Sequence, residues 1–492
     1  MVVVIGAGAT GLGVAWDLAL RGIPVTVLEQ NEVGTGTSGR FHGLLHSGSR
    51  YVVTDPQAAI DCRQENAILR QIASAVIEPT GGYFVSIGDD TAAYEEQWLR
   101  GCAQAGIIVK PQDAPAIRRE VPEITPDLVR GWWVPDGVIE GFALLQSLVR
   151  GITRHGGRLL THTVPIAIRT FNGRVSGVKI SGPGGTEEIQ AEAVINASGP
   201  WAGEVSDSLW GDPIPMERSA GMMLIFAHRH GDRVINRLAL PGDGDILVPH
   251  QSVSIFGTTD VPQERVEDPL PLRSDAYRLL MRGLIMFPSM DKWRIIRAFT
   301  GVRPLYDPHR FSEDPRTISR DFTLIRHSDR HGPEGIFSVV GGKWTTFRLM
   351  AERVVDTALK YLAHDAPCRT REISITEEPK RVAGYPVPAG PVIACECESV
   401  TIETIASHNK ESLDVIRTKT WAGMGPCQGT FCGHRMAAIR RLAAGNAVAD
   451  TELQDFREER AHGIKPVMWG DNAREWMLQR AMRLQTLGEA ER

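Results

Sequence analysis

The sequence predicts an α/β fold in which a parallel-sheet domain is interleaved with an α+β domain and followed by a small helical module. Three observations carry this. A glycine-rich turn joins a strand to a helix at the N-terminus, and strand-like pieces of the same kind recur far downstream. Four of the seven cysteines crowd into one late segment. A chain of 492 residues gives about three domains at roughly 150 residues each. Hydrophobic residues at 42% and charged residues at 23% leave ample material for a buried core. The net charge of −5 argues against a nucleic-acid partner, which calls for a basic excess. Seven cysteines are too sparse for a disulfide scaffold, and an odd number cannot all pair.

Val2–Ile5 is a short apolar run suited to a buried parallel strand. Leu12–Leu20 continues as a helix that Arg21-Gly22 ends, and Pro24–Leu28 is the second strand. A small-residue loop, Gly34 to Ser38, leads into Arg40–Tyr51, and Gln57–Ala75 reads as helical. Strand-like segments return at Leu159–Ile168, Arg174–Ile180, Ala193–Asn196 and Gly335–Val340, and a helix is expected from about Thr346 to Tyr361. The nucleotide domain is therefore expected in pieces, at 1–75, 140–205 and 330–365. The intervening 76–139 and 206–329 form the second, substrate domain. Pro379, Pro386, Pro388 and Pro391 mark a linker at 366–391. A cysteine module at 392–450 and a polar tail at 451–492 complete the chain.

Gly6-Ala7-Gly8-Ala9-Thr10-Gly11 is a GxGxxG turn between strand and helix. Its glycines serve the tight turn, the backbone's approach to a pyrophosphate and helix–strand packing, while the helix N-terminus faces the phosphates. Glu29 lies 18 residues after Gly11, placed for an adenosine ribose hydroxyl. The interleaved domain and the hydroxyl-rich loop from Gly34 to Gly39 suit a flavin held across several segments better than a diffusible nicotinamide, so FAD is the expected cofactor.

The cysteines read C-x-C, 29 intervening residues, then C-x4-C: Cys395, Cys397, Cys427 and Cys432. Four thiolates suit zinc or an iron–sulfur cluster, and spacing alone does not separate them. A zinc ribbon usually shows paired C-x2-C knuckles, which this segment lacks. The second pair lies in a glycine loop before an expected helix, Arg435–Leu442, where amide groups can face an anionic cluster.

With Ser38–Tyr51 in hand, a run containing His46-Ser47-Gly48-Ser49-Arg50, the chain resembles the FAD-dependent glycerol-3-phosphate dehydrogenases, most of all the large subunit of the anaerobic type. Gly257–Asp260, Phe299–Pro304, Ser319–Asp321 and Gly341–Thr346 also match, as do the cysteine segment and Lys465–Asp471. The resemblance implies a D-amino-acid-oxidase-like fold and oxidation of sn-glycerol 3-phosphate to dihydroxyacetone phosphate. In it the candidate FAD contacts are Gly6, Gly8, Gly11, Glu29, Thr37, Ser38, Gly199, Gly341, Gly342 and Thr345.

That reaction asks for a base at the hydroxyl, cations for the phosphate and a pocket that sets C2 over the flavin. His46 is the candidate base, because an imidazole titrates near neutrality. Arg303 and Lys343 join it as catalytic candidates that can stabilise developing negative charge. Arg50, Arg320, Thr258 and Thr259 are candidate substrate contacts, the arginines through forked bonds to phosphate oxygens. Some aerobic relatives carry a histidine in the strand matching Ser219–Leu224, where this chain has methionines, so that segment receives no proton-transfer role.

The cysteine segment resembles the small helical [2Fe–2S] domain of bacterioferritin-associated ferredoxin. A cluster there implies that electrons collected in pairs on FAD leave singly. The implied partners are a second flavoprotein and a membrane-associated iron–sulfur subunit delivering to quinone. No signal peptide and no apolar run of 18 residues is read in the sequence, so the chain is expected in the cytoplasm, peripheral on the inner face of the membrane only through a partner. Two rival readings remain: an FAD dehydrogenase of an amino acid or 2-hydroxy acid, and a non-catalytic electron-transfer or redox-sensing subunit. No role falls to Cys62, Cys102 or Cys368.

Overall fold

The computed structural model describes residues 1–88, 92–264, 270–307, 321–376 and 392–486. Val2–Ile5 lies inside a six-stranded sheet ordered Phe322–Arg326, Ile336–Gly341, Ala193–Asn196, Val2–Ile5, Val25–Leu28, Arg158–Leu160. Neighbours are parallel except at the edge strand Phe322–Arg326, which runs antiparallel. Strand side chains alternate between faces. Val2 and Val4 pack under helices Ala9–Leu20, Gly141–Arg154 and Phe347–Tyr361. Val3 and Ile5 pack under a three-stranded antiparallel sheet, Val164–Phe171, Arg174–Gly182 and Gly185–Gln190. Both faces are covered, which explains the unbroken apolar runs.

The expected strand Leu159–Ile168 is two strands in two sheets. His162 sits at a left-handed φ of 51°, and the Thr163 amide donates to the Glu29 carbonyl at 2.8 Å. That break turns the chain off the large sheet and over its open end. The boundary expected at 330 also shifts, because Phe322–Arg326 pairs with Ile336–Gly341 and so joins the first sheet.

The second domain is a nine-stranded sheet. Its longest strand, Ile295–Tyr306, lies antiparallel to Met216–Phe226 and sets Arg303 directly across from Ser219. Between the two domains, Leu44–Leu45, Gly137–Ile139 and Ile77–Glu78 make a small sheet. Helix Pro56–Ile72 packs behind it, capped by Asp55 accepting from the Ala58 amide at 3.2 Å. A buried ion pair, Arg348 to Glu65 at 2.6 Å, ties this helix to Phe347–Tyr361.

The cysteine module is a hairpin, Ile393–Cys395 with Val400–Thr401, followed by helices. The expected polar tail is instead part of it. Helix Asn446–Ile464 inserts a fully buried Phe456, and Arg457 donates to the carbonyls of Gly429 and Thr430. Val467 enters the core of the second domain, and Arg294 pairs with Glu475 at 2.9 Å. Of the expected linker, residues 377–391 and all four prolines lie outside the described residues. Among the described residues, no helix is long and apolar enough to cross a membrane.

Candidate active site and cofactor pocket

A cavity of about 570 Å³ runs along the C-terminal ends of the parallel strands, where open α/β sheets bind ligands. Gly6, Gly8, Glu29, Thr37, Ser38, Gly199, Gly341 and Gly342 all line it, and so does Lys343. Glu29 accepts from the amides of Ala7 at 2.8 Å and Asn31 at 2.9 Å, and its carboxylate retains acceptor capacity for a ribose hydroxyl. Ser38 Oγ accepts from the Ala9 amide at 2.9 Å, and Thr37 Oγ1 donates to the Val302 carbonyl at 2.6 Å. The glycine backbone, the acidic ribose position and the helix N-terminus fit FAD.

Gly11 and Thr345 are not in the lining. Gly11 acts through the turn, since a methyl there would stand 1.9 Å from the Gly6 carbonyl oxygen. That oxygen belongs to backbone at a φ of +102° and cannot yield. Gly11→Ala is therefore expected to purify without FAD. The check is visible flavin absorbance per protein, and a normally yellow variant refutes it.

Thr345 is buried and serves the catalytic loop, its Oγ1 accepting from the His46 amide at 3.1 Å. The loop is clamped at two further points. Asn66 Nδ2 reaches the carbonyls of Leu45 (3.2 Å), His46 (3.1 Å) and Pro135 (3.3 Å), and its Oδ1 accepts from Arg70 at 2.8 Å. Buried Asp136 accepts from the Ser47 amide at 2.8 Å. The His46 ring is 8% exposed and lies beside Tyr51 and His42 at centroid distances of 5.3 and 5.7 Å. Burial, then His42, Arg50 and Lys343, hold its pKa well below the usual histidine value. The ring is thus neutral and able to accept a proton.

Arg303 is held on several sides. It donates to Ser219 Oγ at 3.1 Å, to Thr258 Oγ1 and to the Thr259 carbonyl at 3.0 Å, with Asp260 at 3.7 Å. Lys343 Nζ stands 4.6 Å over the Tyr51 ring. Arg50 donates from Nη2 to both Asp245 oxygens at 2.8 Å, so much of its charge is met within the protein. Thr259 is buried, and its hydroxyl accepts from the Met222 amide at 2.9 Å, a structural use. Arg320 lies outside the described residues.

Sequence reasoning missed His42, Asn66, Asp136, Asp245 and Gly221. His42 stands inside the Ser38–Tyr51 motif. The others carry no local signal, because each acts on a residue distant in the chain.

In the module, Cys395 meets Cys432 and Cys397 meets Cys427 through sulfur hydrogen bonds, and none of the seven cysteines is in a disulfide. These contacts, with backbone amides of Gly423 and Glu398 on Cys395 and of Gly429, Phe431 and Thr430 on Cys427, lower Cys395 and Cys427 toward the thiolate, while the same sulfur hydrogen bonds and burial raise the partner thiols Cys432 and Cys397. Among the described residues, no three His, Cys, Asp or Glu side chains converge on one ion. The module meets the second domain at Trp421, whose ring lies 5.5 Å from that of His250. His250 in turn packs against Gly43, beside His42. Cys62 and Cys102 are buried thiols pushed up to about 12 by desolvation, which makes them inert.

The fold and pocket define a flavin-dependent oxidoreductase. A profile of the family described as FAD dependent oxidoreductase matches residues 1–356, and the chain belongs to this family. Within it, the chain is a homologue of the A subunits of the anaerobic glycerol-3-phosphate dehydrogenases. It is 36% identical to the A1 chain of that enzyme from Haloferax volcanii, covering 100% of this chain and 91% of that protein. It is also 36% identical to the corresponding A chain of Escherichia coli K12, over 96% of this chain and 94% of that one. Among solved structures, a Bacillus halodurans glycerol-3-phosphate dehydrogenase complexed with FAD shares the fold. Its TM-score is 0.59 at 19% identity, over 97% of this chain and 90% of that one. Glycine oxidase from Geobacillus kaustophilus also has a TM-score of 0.59 at 19% identity, over 77% of this chain and 98% of that one.

Proposed function

We propose that this chain oxidises sn-glycerol 3-phosphate to dihydroxyacetone phosphate on FAD and passes the electrons out through a [2Fe–2S] cluster held by Cys395, Cys397, Cys427 and Cys432. The observation that carries the reading is the set of cations, Arg50, Arg303 and Lys343, around neutral imidazoles next to the cofactor pocket. Cations suit a phosphate dianion, and an unprotonated imidazole suits a hydroxyl. FAD, when bound, supplies the acceptor for the hydride from C2. His46 takes the hydroxyl proton. Arg303 forks onto phosphate or developing oxyanion, Lys343 adds a point charge at the pocket wall, and Thr258, Arg320 and the guanidinium nitrogens of Arg50 that Asp245 does not engage complete the substrate contacts.

The thiol pairs support a cluster over zinc. A two-iron cluster takes two thiolates on each iron, whereas one zinc ion needs all four ligands around one point. Amides aimed at Cys395 and Cys427 suit an anionic group. The contact of Trp421 with His250 brings the module against the loop that carries His42 and His46. The relatives are themselves named as subunits, which supports partner chains. We read these as a second flavoprotein and a membrane-associated iron–sulfur subunit delivering to quinone, through which this cytoplasmic chain reaches the membrane.

Anaerobic titration tests the reading. Glycerol 3-phosphate is expected to bleach the flavin band, while 2-hydroxyglutarate and glycine leave it unchanged. Iron and inorganic sulfide are expected in equal amounts in protein purified without oxygen. Bleaching by the acids alone sinks the substrate, zinc without sulfide sinks the cluster, and no bleaching by any compound restores a non-catalytic role.

A further inference from the structure

We propose that His42 is a second catalytic imidazole, one that donates a hydrogen bond from Nε2–H to the substrate oxygen as it passes from hydroxyl to carbonyl. The inference rests on the substrate reading above. The backbone amide of Leu44 donates to His42 Nδ1 at 3.1 Å. A ring nitrogen that accepts an N–H carries no proton, so the neutral ring bears its proton on Nε2. Among the described residues, Nε2–H has no hydrogen-bond partner, and the side chain is only partly buried. The donor is therefore fixed in its tautomer.

Its neighbours point it at the chemistry. The His42 and His46 rings meet edge to face, 5.7 Å apart at 78°, so the second imidazole stands in contact with the candidate base. Burial and the charges of Arg50 and Arg303 bring His42 down to about 3, which keeps it neutral through the working range. It cannot act as the base without a tautomer shift that breaks the Leu44 bond. As a neutral ring it is also a poor counter-charge for phosphate beside two arginines. What remains is donation to a developing oxyanion, where a fixed neutral donor costs no reorganisation.

The step balances without His42 changing state. Substrate C2–H leaves as hydride to FAD, the hydroxyl proton goes to His46, and the C2–O bond becomes the carbonyl. His42 keeps its proton throughout and stabilises the partial negative charge on oxygen while both bonds are breaking. One imidazole moves a proton and the other holds one.

The test uses full-length flavoprotein and two variants. His42→Phe keeps a ring without the donor, and His42→Asn restores an N–H. His42→Phe is expected to slow saturating anaerobic flavin bleaching by about 100-fold. Substrate affinity, read from perturbation of the oxidised flavin spectrum, is expected to stay within about threefold, and His42→Asn to recover at least about tenfold of the rate. Nitrogen-15 NMR of histidine-labelled protein is expected to show, among the rings that do not titrate between about pH 5.5 and 8, an Nε2–H signal that is lost in His42→Phe. Bleaching by His42→Phe near the wild-type rate, a loss confined to affinity, or a proton on Nδ1 overturns the proposal. If a 2-hydroxy acid bleaches the wild type and glycerol 3-phosphate does not, the substrate reading fails, and the same variants compared on that acid still decide His42. A wild-type flavin that no alcohol bleaches overturns both.

Discussion

Replacing His46 with alanine is expected to lower substrate-dependent flavin bleaching by about 10²- to 10⁴-fold, the range a positioned general base supplies. FAD should remain bound, because His46 is absent from the cavity lining that holds the cofactor. Free His46 is neutral at the working pH, since burial and the neighbouring His42, Arg50 and Lys343 depress its pKa well below the usual value. A base is active when unprotonated, so its function is lost only as pH falls through that depressed value. An arriving phosphate dianion offsets the cations and raises the pKa, so the acid limb of kcat should lie at higher pH than the His46 limb of the free enzyme. Stopped-flow bleaching across pH measures both. A His46→Ala protein with near-normal turnover removes this residue as the base.

The parts of this molecule legible in the sequence are those whose cause is local. The GxGxxG turn, the apolar strands beside it and Glu29 are linked within one β-α-β unit, so spacing alone places them. The motif from Ser38 to Tyr51 likewise delivers His46 to the site. What escaped is non-local. Arg50 reads as an open phosphate ligand until Asp245, 195 positions away, is found across from it. Asn66 gives no sign from its helix that it clamps the carbonyls of the two peptide bonds that flank the His46 Cα. The strand expected at 159–168 fails at His162, a non-glycine residue in the left-handed region that no periodicity announces. The polar tail fails for a related reason. Helix Asn446–Ile464 buries Phe456 and two arginines against the cysteine loop, so its polar composition conceals an interior face.

Replacing Arg303 with lysine, nominally conservative, is expected to lower turnover by about 100-fold and to raise KM. Strand pairing brings Ser219 opposite Arg303, and the adjoining loop supplies the Thr258 hydroxyl and the Thr259 carbonyl. These partners are met by different nitrogens of one planar fork. A lysine ammonium is a compact point charge and cannot reach both sides while still facing substrate. Space is part of the design as well. A methyl on Gly221 would stand 2.5 Å from Arg303 Nη2, so this glycine keeps the strand's face clear for the guanidinium. Gly221→Ala leaves every charge in place and shifts only its position. It should therefore raise KM and lower turnover less than Arg303→Lys does, with FAD occupancy unchanged in both. Steady-state assays with a one-electron dye, alongside thermal unfolding to verify the fold, separate the cases. If Arg303→Lys turns over within about threefold of wild type, the arginine holds the sheet together rather than the substrate.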